Sequence, residues 1–303
     1  MAFTAKDVQS LREKTGCGMM DCKKALVECD GNMDAAIDFL REKGLAQAAK
    51  KADRIAAEGA VLCYEADGVA AMVELNAETD FVANGDGFKD LTKEIAKVVA
   101  EQNPADVEAL KVCKIGDMSV EDKVQEFFLA VRENIKIRRF ERYEGTIATY
   151  IHGGGKIGVM VKFDTDCAAD DANFVELSKN VAMQIAALNP LYLSPESVPA
   201  EVLEKEKGIL IAQMKEDPKM ANKPEQVLAK IVEGKVGKYY SENCLLKQAF
   251  VIDGDLTVEK YLDAKAKELG KNIKVVSFVR FEKGEGIEKR SDNFADEVAS
   301  MIK

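Results

Sequence analysis

The strongest constraint on the fold is an internal repeat, because one pattern of residues recurs 86 positions later in the chain. The matched residues are Glu58-Gly59 with Glu144-Gly145, Tyr64 with Tyr150, and Thr79-Asp80 with Thr165-Asp166. Each copy holds two runs of alternating apolar residues joined by a turn, which is the pattern of a β-hairpin. The first turn is Asp67-Gly68, and the second is glycine-rich and two residues longer. The repeat predicts a duplicated α+β core with antiparallel sheets.

Apolar residues at helical spacing predict helices in both copies of the repeat. In the first copy they cover residues 88–99 and 120–134, with a polar stretch between them. In the second copy they cover residues 201–214 and 223–236, separated by a polar segment that contains Pro218. Two helices joined in this way form an antiparallel pair, and we expect this pair to protrude from the second copy.

The first 50 or so residues carry three short helical patterns, which predict a small three-helix module. The patterns cover residues 4–14, 21–28 and 32–43. Thr4 is a candidate N-cap for the first helix, Asp21 is a candidate N-cap for the second, and Gly44 is expected to end the third. The alanine- and lysine-rich segment 47–57 is typical of a helical connector between domains.

The end of the chain predicts a strand and then a helix. Residues 274–281 alternate like a strand that returns to the sheet, and residues 292–302 form a helical pattern. The expected parts are a three-helix module with its connector at 1–55, a core subdomain at 56–143, a second core subdomain at 144–281 with a helical hairpin inserted at about 195–236, and a C-terminal helical module at 282–303.

Charge and hydropathy limit the partners and the compartment. Acidic residues outnumber basic ones by 53 to 43, and a formal charge of -10 disfavours direct nucleic-acid binding. The N-terminus meets charged residues at once, and no apolar run is long enough to span a bilayer. We therefore expect a cytoplasmic protein with no membrane contact.

The cysteines and the single histidine do not form a recognisable chemical site. The seven cysteines are odd in number and thinly spread, which favours reduced structural thiols. Cys17, Cys22 and Cys29 do not have the spacing of a common zinc motif, and His152 lies far from them in sequence. We expect no metal, no cofactor and no catalytic residue, with an enzyme that uses Cys22 or His152 as a distant alternative.

A glycine-rich run at residues 153–156 raises the possibility of a phosphate-binding loop. That motif requires glycine where this chain has Tyr150 and a hydroxyl residue where it has Ile157. Apolar alternation also continues past the run into another strand, so a hairpin turn is favoured. A nucleotide enzyme is therefore not expected.

The segment 74–84, ELNAETDFVAN, places a large aromatic residue among polar ones. Phe81 could fold back into the core while Thr79 or Asp80 caps the next turn, and residue chemistry alone favours that interpretation. The alternative is that Phe81 faces outward and contacts a partner.

Three motifs in the same order resemble the elongation factor Ts family, and the resemblance covers essentially the whole chain. The first is residues 11–26, LREKTGCGMMDCKKAL. The second is the run Thr79-Asp80-Phe81-Val82, with Ala77 where the family more often has Cys or Ser, and the third is residues 280–289, RFEKGEGIEK.

The resemblance implies a fold, a function and a set of contacts. It implies an N-terminal module of the ubiquitin-associated type and a guanine-nucleotide exchange factor that catalyses no reaction and binds the GTPase elongation factor Tu. The residues that it assigns to partner contacts are Arg12, Met19 and Met20 in the N-terminal module, Thr79, Asp80, Phe81 and Val82 around the Mg²⁺ site of Tu, and His152, Gly154 and Gly155 in the second subdomain.

Two questions stay open from the sequence. A plain adaptor, whose three-helix module recruits partners without affecting nucleotide exchange, remains the chief rival to the exchange factor. The helix pair at residues 201–236 either forms a homodimer or braces the complex.

Overall fold

A computed structural model describes residues 3–51, 53–216 and 225–288. These residues form helices and antiparallel sheets, so the predicted α+β class and N-terminal three-helix module are confirmed. The described residues divide into two compact units. Among the described residues, the first unit contains those from Phe3 to Arg142, residues 151–158 and those from Phe281 to Glu288, and the second contains those at 143–150 and between 159 and 280.

Three helices open the first unit: α1 at Ala5–Thr15, α2 at Met19–Glu28 and α3 at Met33–Lys51. The predicted cap is confirmed, because the Thr4 side chain accepts from the backbone amide of Asp7 and the Asp7 carboxylate accepts from the backbone amide of Thr4. The module buries Leu11 and Leu26 in a shared core. Phe128 and Leu129, from a later helix, complete that core.

Two predicted helix boundaries in the module are wrong. Helix α2 begins at Met19 after an extended Gly18, so Asp21 lies inside its first turn and does not cap it. Helix α3 continues through Gly44 instead of ending there. A Cβ built at Gly44 would lie 2.1 Å from Cδ2 of Leu129, so the glycine permits close helix packing and is not a stop.

The first hairpin pairs β1, Glu58–Ala66, with β2, Val69–Ala77, in an antiparallel register from Glu58↔Ala77 to Ala66↔Val69. Asp67 and Gly68 both have positive φ angles, 51° and 73°, as the predicted two-residue turn requires. Both strands and their turn are therefore confirmed.

The chain between this hairpin and the end of the first sheet forms four helices and three strands. They are α4 at Asp80–Ala83, α5 at Asp86–Gln102, α6 at Val107–Val112, β3 at Lys114–Ile115, β4 at Met118–Ser119, α7 at Val120–Val131 and β5 at Lys136–Glu144. The predicted helices at 88–99 and 120–134 correspond to α5 and α7. Strand β5 completes the sheet in the order β1-β2-β5, and the sequence pattern did not predict it.

The second copy of the repeat forms a second three-stranded sheet. Its elements are β6 at Thr146–His152, β7 at Ile157–Thr165, α8 at Ala172–Leu188, α9 at Ala200–Glu216, α10 at Glu225–Asn243, α11 at Val258–Leu269 and β8 at Ile273–Glu282. Short 3₁₀ turns lie at Pro195–Ser197 and Leu245–Lys247. The sheet order is β6-β7-β8, so the predicted final strand is confirmed, whereas α8 and α11 were not predicted.

The repeat extends beyond the hairpins into the helices that follow them. Helices α5 and α8 are both 17 residues long, and each begins 86 positions from the other. Each ends at an asparagine in the left-handed conformation, Asn103 at φ 47° and Asn189 at φ 45°. The duplicated unit is therefore a hairpin followed by a 17-residue helix.

Two predicted features fall wholly or partly outside the described residues. The turn of the helix pair, residues 217–224, lies between α9 and α10, and the predicted closing helix at 292–302 follows the last described residue. Every helix within the described ranges is too short or too polar to cross a lipid bilayer.

Candidate functional site

The exposed aromatic residue of the first unit lies on a one-turn helix directly after β2. Thr79 is the N-cap of α4, and its side chain accepts a hydrogen bond from the backbone amide of Val82. Ala83 is buried and Val82 packs on the edge of the sheet core. Phe81 is 87% exposed, so its ring lies outside the core that residue chemistry alone had favoured for it.

A glutamate from after α7 binds the start of this helix. The backbone amide of Thr79 donates to Oε2 of Glu133 at 2.9 Å, and the Thr79 hydroxyl donates to Oε1 of Glu133 at 2.7 Å. One carboxylate thus accepts two hydrogen bonds from the residue that caps α4. Charge-assisted bonds of this kind are stronger than neutral ones.

A second contact between the same two segments involves the preceding residue, Glu78. The backbone amide of Asn134 donates to Oε1 of Glu78 at 2.7 Å, and Arg54 lies 3.3 Å from Oε2. The Asn134 side chain donates to the backbone carbonyl of Arg54 at 2.8 Å. The segment that presents Phe81 is therefore attached to the rest of the unit at two adjacent residues.

An open groove lies beside the exposed ring. Its walls include Val82, Phe88, Phe127 and Val131. The rings of Phe88 and Phe127 meet edge to face at 6.0 Å between centroids. An apolar element of a partner that contacted Phe81 would therefore meet further apolar surface beside it.

Asp80 is exposed at the first position of α4. Within the described part of the chain its carboxylate forms no hydrogen bond or ion pair. A carboxylate next to an exposed aromatic ring can act on positive charge in a partner without first losing an internal contact.

The N-terminal module presents a separate exposed surface. Met19 and Met20, at the start of α2, are 49% and 74% exposed, so neither fills the module core. Arg12 on α1 is exposed as well. Flexible, polarizable methionines suit a surface that adapts to a partner.

The C-terminal end of α7 joins this module to the segment that carries Phe81. Arg132 ends α7 in the left-handed conformation, φ 62°, and its guanidinium donates to Asp21 at 2.8 Å. The Lys51 ammonium donates to the backbone carbonyl of Arg132. Asp21 follows directly after Met20, so the helix end that binds Thr79 also binds the methionine-bearing helix.

The predicted second-subdomain contacts lie in the turn between β6 and β7. His152 and Gly154 are exposed, whereas Gly155 is buried against β1. A Cβ at Gly155, where φ is 107°, would lie 3.1 Å from Cβ of Ala60, and the Gly155 carbonyl accepts from Val61 at 2.8 Å. Close packing against β1 therefore explains why residue 155 is a glycine. The run at 153–156 is a hairpin turn, as expected.

The C-terminal motif binds a buried carboxylate of the first sheet. Glu74 on β2 is fully buried and accepts from Arg138 at 2.9 Å, Arg139 at 2.6 Å and the amide of Gly284 at 2.7 Å. A Cβ at Gly284, where φ is 68°, would lie 2.1 Å from the carbonyl oxygen of Ala57. Gly284 therefore serves packing, and the Asn76 side chain also donates to Glu74 at 3.3 Å, so the buried carboxylate is satisfied by four donors at once.

Several cysteines are packing residues in the structure. Cys17 and Cys22 are buried in the module core, and their thiols donate to backbone carbonyls there. Burial raises the pKa of Cys22 and of Cys244 above the usual thiol value, and it raises the pKa of Cys63 to about 12. A high pKa keeps a thiol protonated and poorly nucleophilic.

Comparison with known proteins identifies the class of protein. The family profile described as "Elongation factor TS" matches residues 78–285, which include the segment around Phe81 and Gly284, whose amide donates to Glu74. Among curated relatives, "Elongation factor Ts" of Syntrophotalea carbinolica is 49% identical over 100% of both chains. The proteins of the same name from Clostridium perfringens, 49% identical over 99% of each chain, and Clostridium botulinum, 48% identical over 99% of this chain and 98% of the relative, are also similar.

These matches define a translation elongation factor that takes part in protein biosynthesis. The chain belongs to the elongation factor Ts family.

Proposed function

We propose that this protein is a guanine-nucleotide exchange factor for elongation factor Tu and that it acts in the cytoplasm. It binds the GDP complex of Tu and promotes GDP release, and it makes or breaks no covalent bond itself. The observation that carries this proposal is the exposed ring of Phe81 on an anchored one-turn helix, in a chain of the elongation factor Ts family.

The ring of Phe81 is the group that would insert into Tu. It is almost fully exposed in the free protein, so burial in an apolar crevice of a partner gains about 1.5–3 kcal/mol. That gain requires little reorganisation, because Thr79 is already bound to Glu133.

Asp80 is the group that would disturb the Mg²⁺ site of Tu. Its carboxylate lies next to Phe81 in the chain, so insertion of the ring delivers a negative charge to the same place. A displaced Mg²⁺ no longer neutralises the diphosphate, and GDP is held less tightly. A thousandfold faster release corresponds to a barrier lowered by roughly 4 kcal/mol, which a few buried contacts can supply.

Binding of the exchange factor and binding of nucleotide are then coupled unfavourably. Because the coupling free energy is reciprocal, a nucleotide that binds Tu must lower the affinity of Tu for the exchange factor by the same ratio. Exchange is therefore reversible, and the factor is released once GTP binds.

Further contacts would hold the two proteins together. We propose that Arg12, Met19 and Met20 contact the GTPase domain of Tu, and that the turn containing His152, Gly154 and Gly155 contacts another domain. The pair formed by α9 and α10 is a candidate surface for a homodimer, which sedimentation of the free protein would test.

The decisive experiment measures release of fluorescently labelled GDP from Tu with and without this protein. If the protein is an exchange factor, the rate of GDP release should rise with its concentration and reach a plateau. An adaptor would bind Tu in a pull-down and leave the release rate unchanged, which would contradict the proposal.

A further inference from the structure

We propose that Glu133 is a positioning residue: through its two hydrogen bonds to Thr79 it fixes the direction in which Phe81 projects. This inference deepens the proposed exchange function and concerns a residue outside the motif at 79–82. It predicts that the loop after α7 controls the rate of exchange without contacting nucleotide.

The helix that carries Phe81 is too short to hold its own geometry. It spans only Asp80–Ala83, and an isolated single turn is unstable because helix nucleation fixes several dihedrals for one hydrogen bond. Its only side-chain cap is the 3.4 Å contact between the Thr79 hydroxyl and the amide of Val82. Contacts from elsewhere must therefore define the orientation of the turn.

Glu133 supplies such a contact at the residue where orientation is decided. Both of its oxygens accept from Thr79, one from the backbone amide and one from the hydroxyl. The amide bond fixes the backbone plane at the N-cap, and the hydroxyl bond fixes the Thr79 rotamer that caps α4. Loss of the carboxylate would leave Phe81 attached to the sheet but free to sample several directions.

The neighbouring residues give Glu133 a rigid base. Arg132 binds Asp21 of α2, and the amide of Asn134 binds Glu78 next to Thr79. Just before them, Phe128 and Leu129 are buried in the core of the N-terminal module. Of these three consecutive residues, Arg132 binds α2, whereas Glu133 and Asn134 bind adjacent residues of the segment that carries Phe81, and Glu133 is the one that binds the cap of α4.

The first test uses fluorescence and does not depend on Tu. The chain contains no tryptophan, so Phe81→Trp supplies a single fluorophore at the position in question. Time-resolved anisotropy on this background should show about a twofold larger nanosecond amplitude when Glu133→Ala is added. The matched control is Glu126→Ala, which removes an ion pair with Lys123 on the same helix. Equal amplitudes for Glu133→Ala and the control would overturn the proposal.

The second test measures release of labelled GDP from Tu at a series of factor concentrations. Glu133→Ala should lower the plateau rate by about tenfold, because two hydrogen bonds to a charged acceptor are lost. The half-saturating concentration should change by less than about twofold, since the partner surfaces remain. Glu133→Gln keeps one acceptor oxygen and should fall between wild type and alanine, and Glu126→Ala should match wild type.

Combination with Phe81→Ala separates positioning from a structural role. If Glu133 acts through the ring, Glu133→Ala should cause no further loss once the ring is absent. The same tenfold loss on the Phe81→Ala background would overturn the proposal, as would a wild-type plateau for the single variant. If wild-type protein itself fails to accelerate GDP release, the exchange function is wrong, while the anisotropy result still decides the role of Glu133.

Discussion

Replacement of Phe81 by alanine should separate function from stability more sharply than any other single change. The ring is 87% exposed, so its removal exposes no core and should alter the free energy of unfolding by less than about 0.5 kcal/mol. If the ring is buried in Tu, the loss of about 1.5–3 kcal/mol from the exchange transition state slows GDP release roughly 10- to 100-fold.

Phe88 provides a matched control seven residues further along the chain. It is fully buried and contacts Phe127 edge to face, so Phe88→Ala should cost about 3–5 kcal/mol of unfolding free energy. Urea unfolding followed by circular dichroism measures the stability of both variants, and a labelled-GDP chase from Tu measures exchange.

We expect the Phe81→Ala variant to be as stable as wild type but slow in promoting GDP release, and the Phe88→Ala variant to be unstable. A Phe81→Ala protein that exchanges GDP at the wild-type rate would refute the insertion of the ring. A large loss of stability in that variant would instead show that the ring is packed within its own molecule in solution.

Asp80→Ala should slow exchange, and the size of the effect should change across a Mg²⁺ titration; an effect that is constant at every Mg²⁺ concentration would exclude a disturbed metal site. Gly44→Ala should destabilise the protein by about 1–3 kcal/mol in urea unfolding because the new Cβ would meet Leu129, whereas Gly208→Ala in α9, where a Cβ meets nothing within 4 Å, should stabilise it by up to about 1 kcal/mol. If both substitutions raised the free energy of unfolding, or both lowered it, the packing reason given for Gly44 would be contradicted. Because burial raises the pKa of Cys63 to about 12, the unfolded chain loses its thiol proton at lower pH than the native one, so Cys63 should stabilise the fold below pH 9 and lose that contribution as the pH rises toward 12; Cys63→Ala should flatten the pH dependence of urea unfolding in that window.

The sequence predicts the elements that are determined by local interactions. It does not predict those that are determined by contacts between residues far apart in the chain. The hairpin turn at Asp67-Gly68 and the Thr4 cap are local signals, and both are confirmed. Strand β5 was missed because it carries Arg138 and Arg139, which break the alternation of apolar residues and are present to bind Glu74. Helix α8 could have been found by extending the 86-residue repeat from α5.

The candidate site shows the same division. The sequence identifies the motif at 79–82 as a candidate site. It does not predict whether Phe81 points inward or outward, because an aromatic residue among carboxylates fits both a buried and an exposed position. Glu133 lies 54 residues from Thr79, and no local pattern signals that contact. The prediction that Gly44 ends α3 is wrong for the same reason. The contact that requires a glycine there comes from Leu129, which belongs to a helix much later in the chain.

The buried Glu74 has a consequence for synthesis on the ribosome. Its carboxylate comes from β2, while one of its four hydrogen-bond donors is the amide of Gly284, which is 210 residues downstream. A nascent chain that has been translated through β5 can neutralise the charge with arginine but still lacks the donor at Gly284. The buried carboxylate therefore gains its full set of hydrogen bonds only when almost the whole chain has been translated.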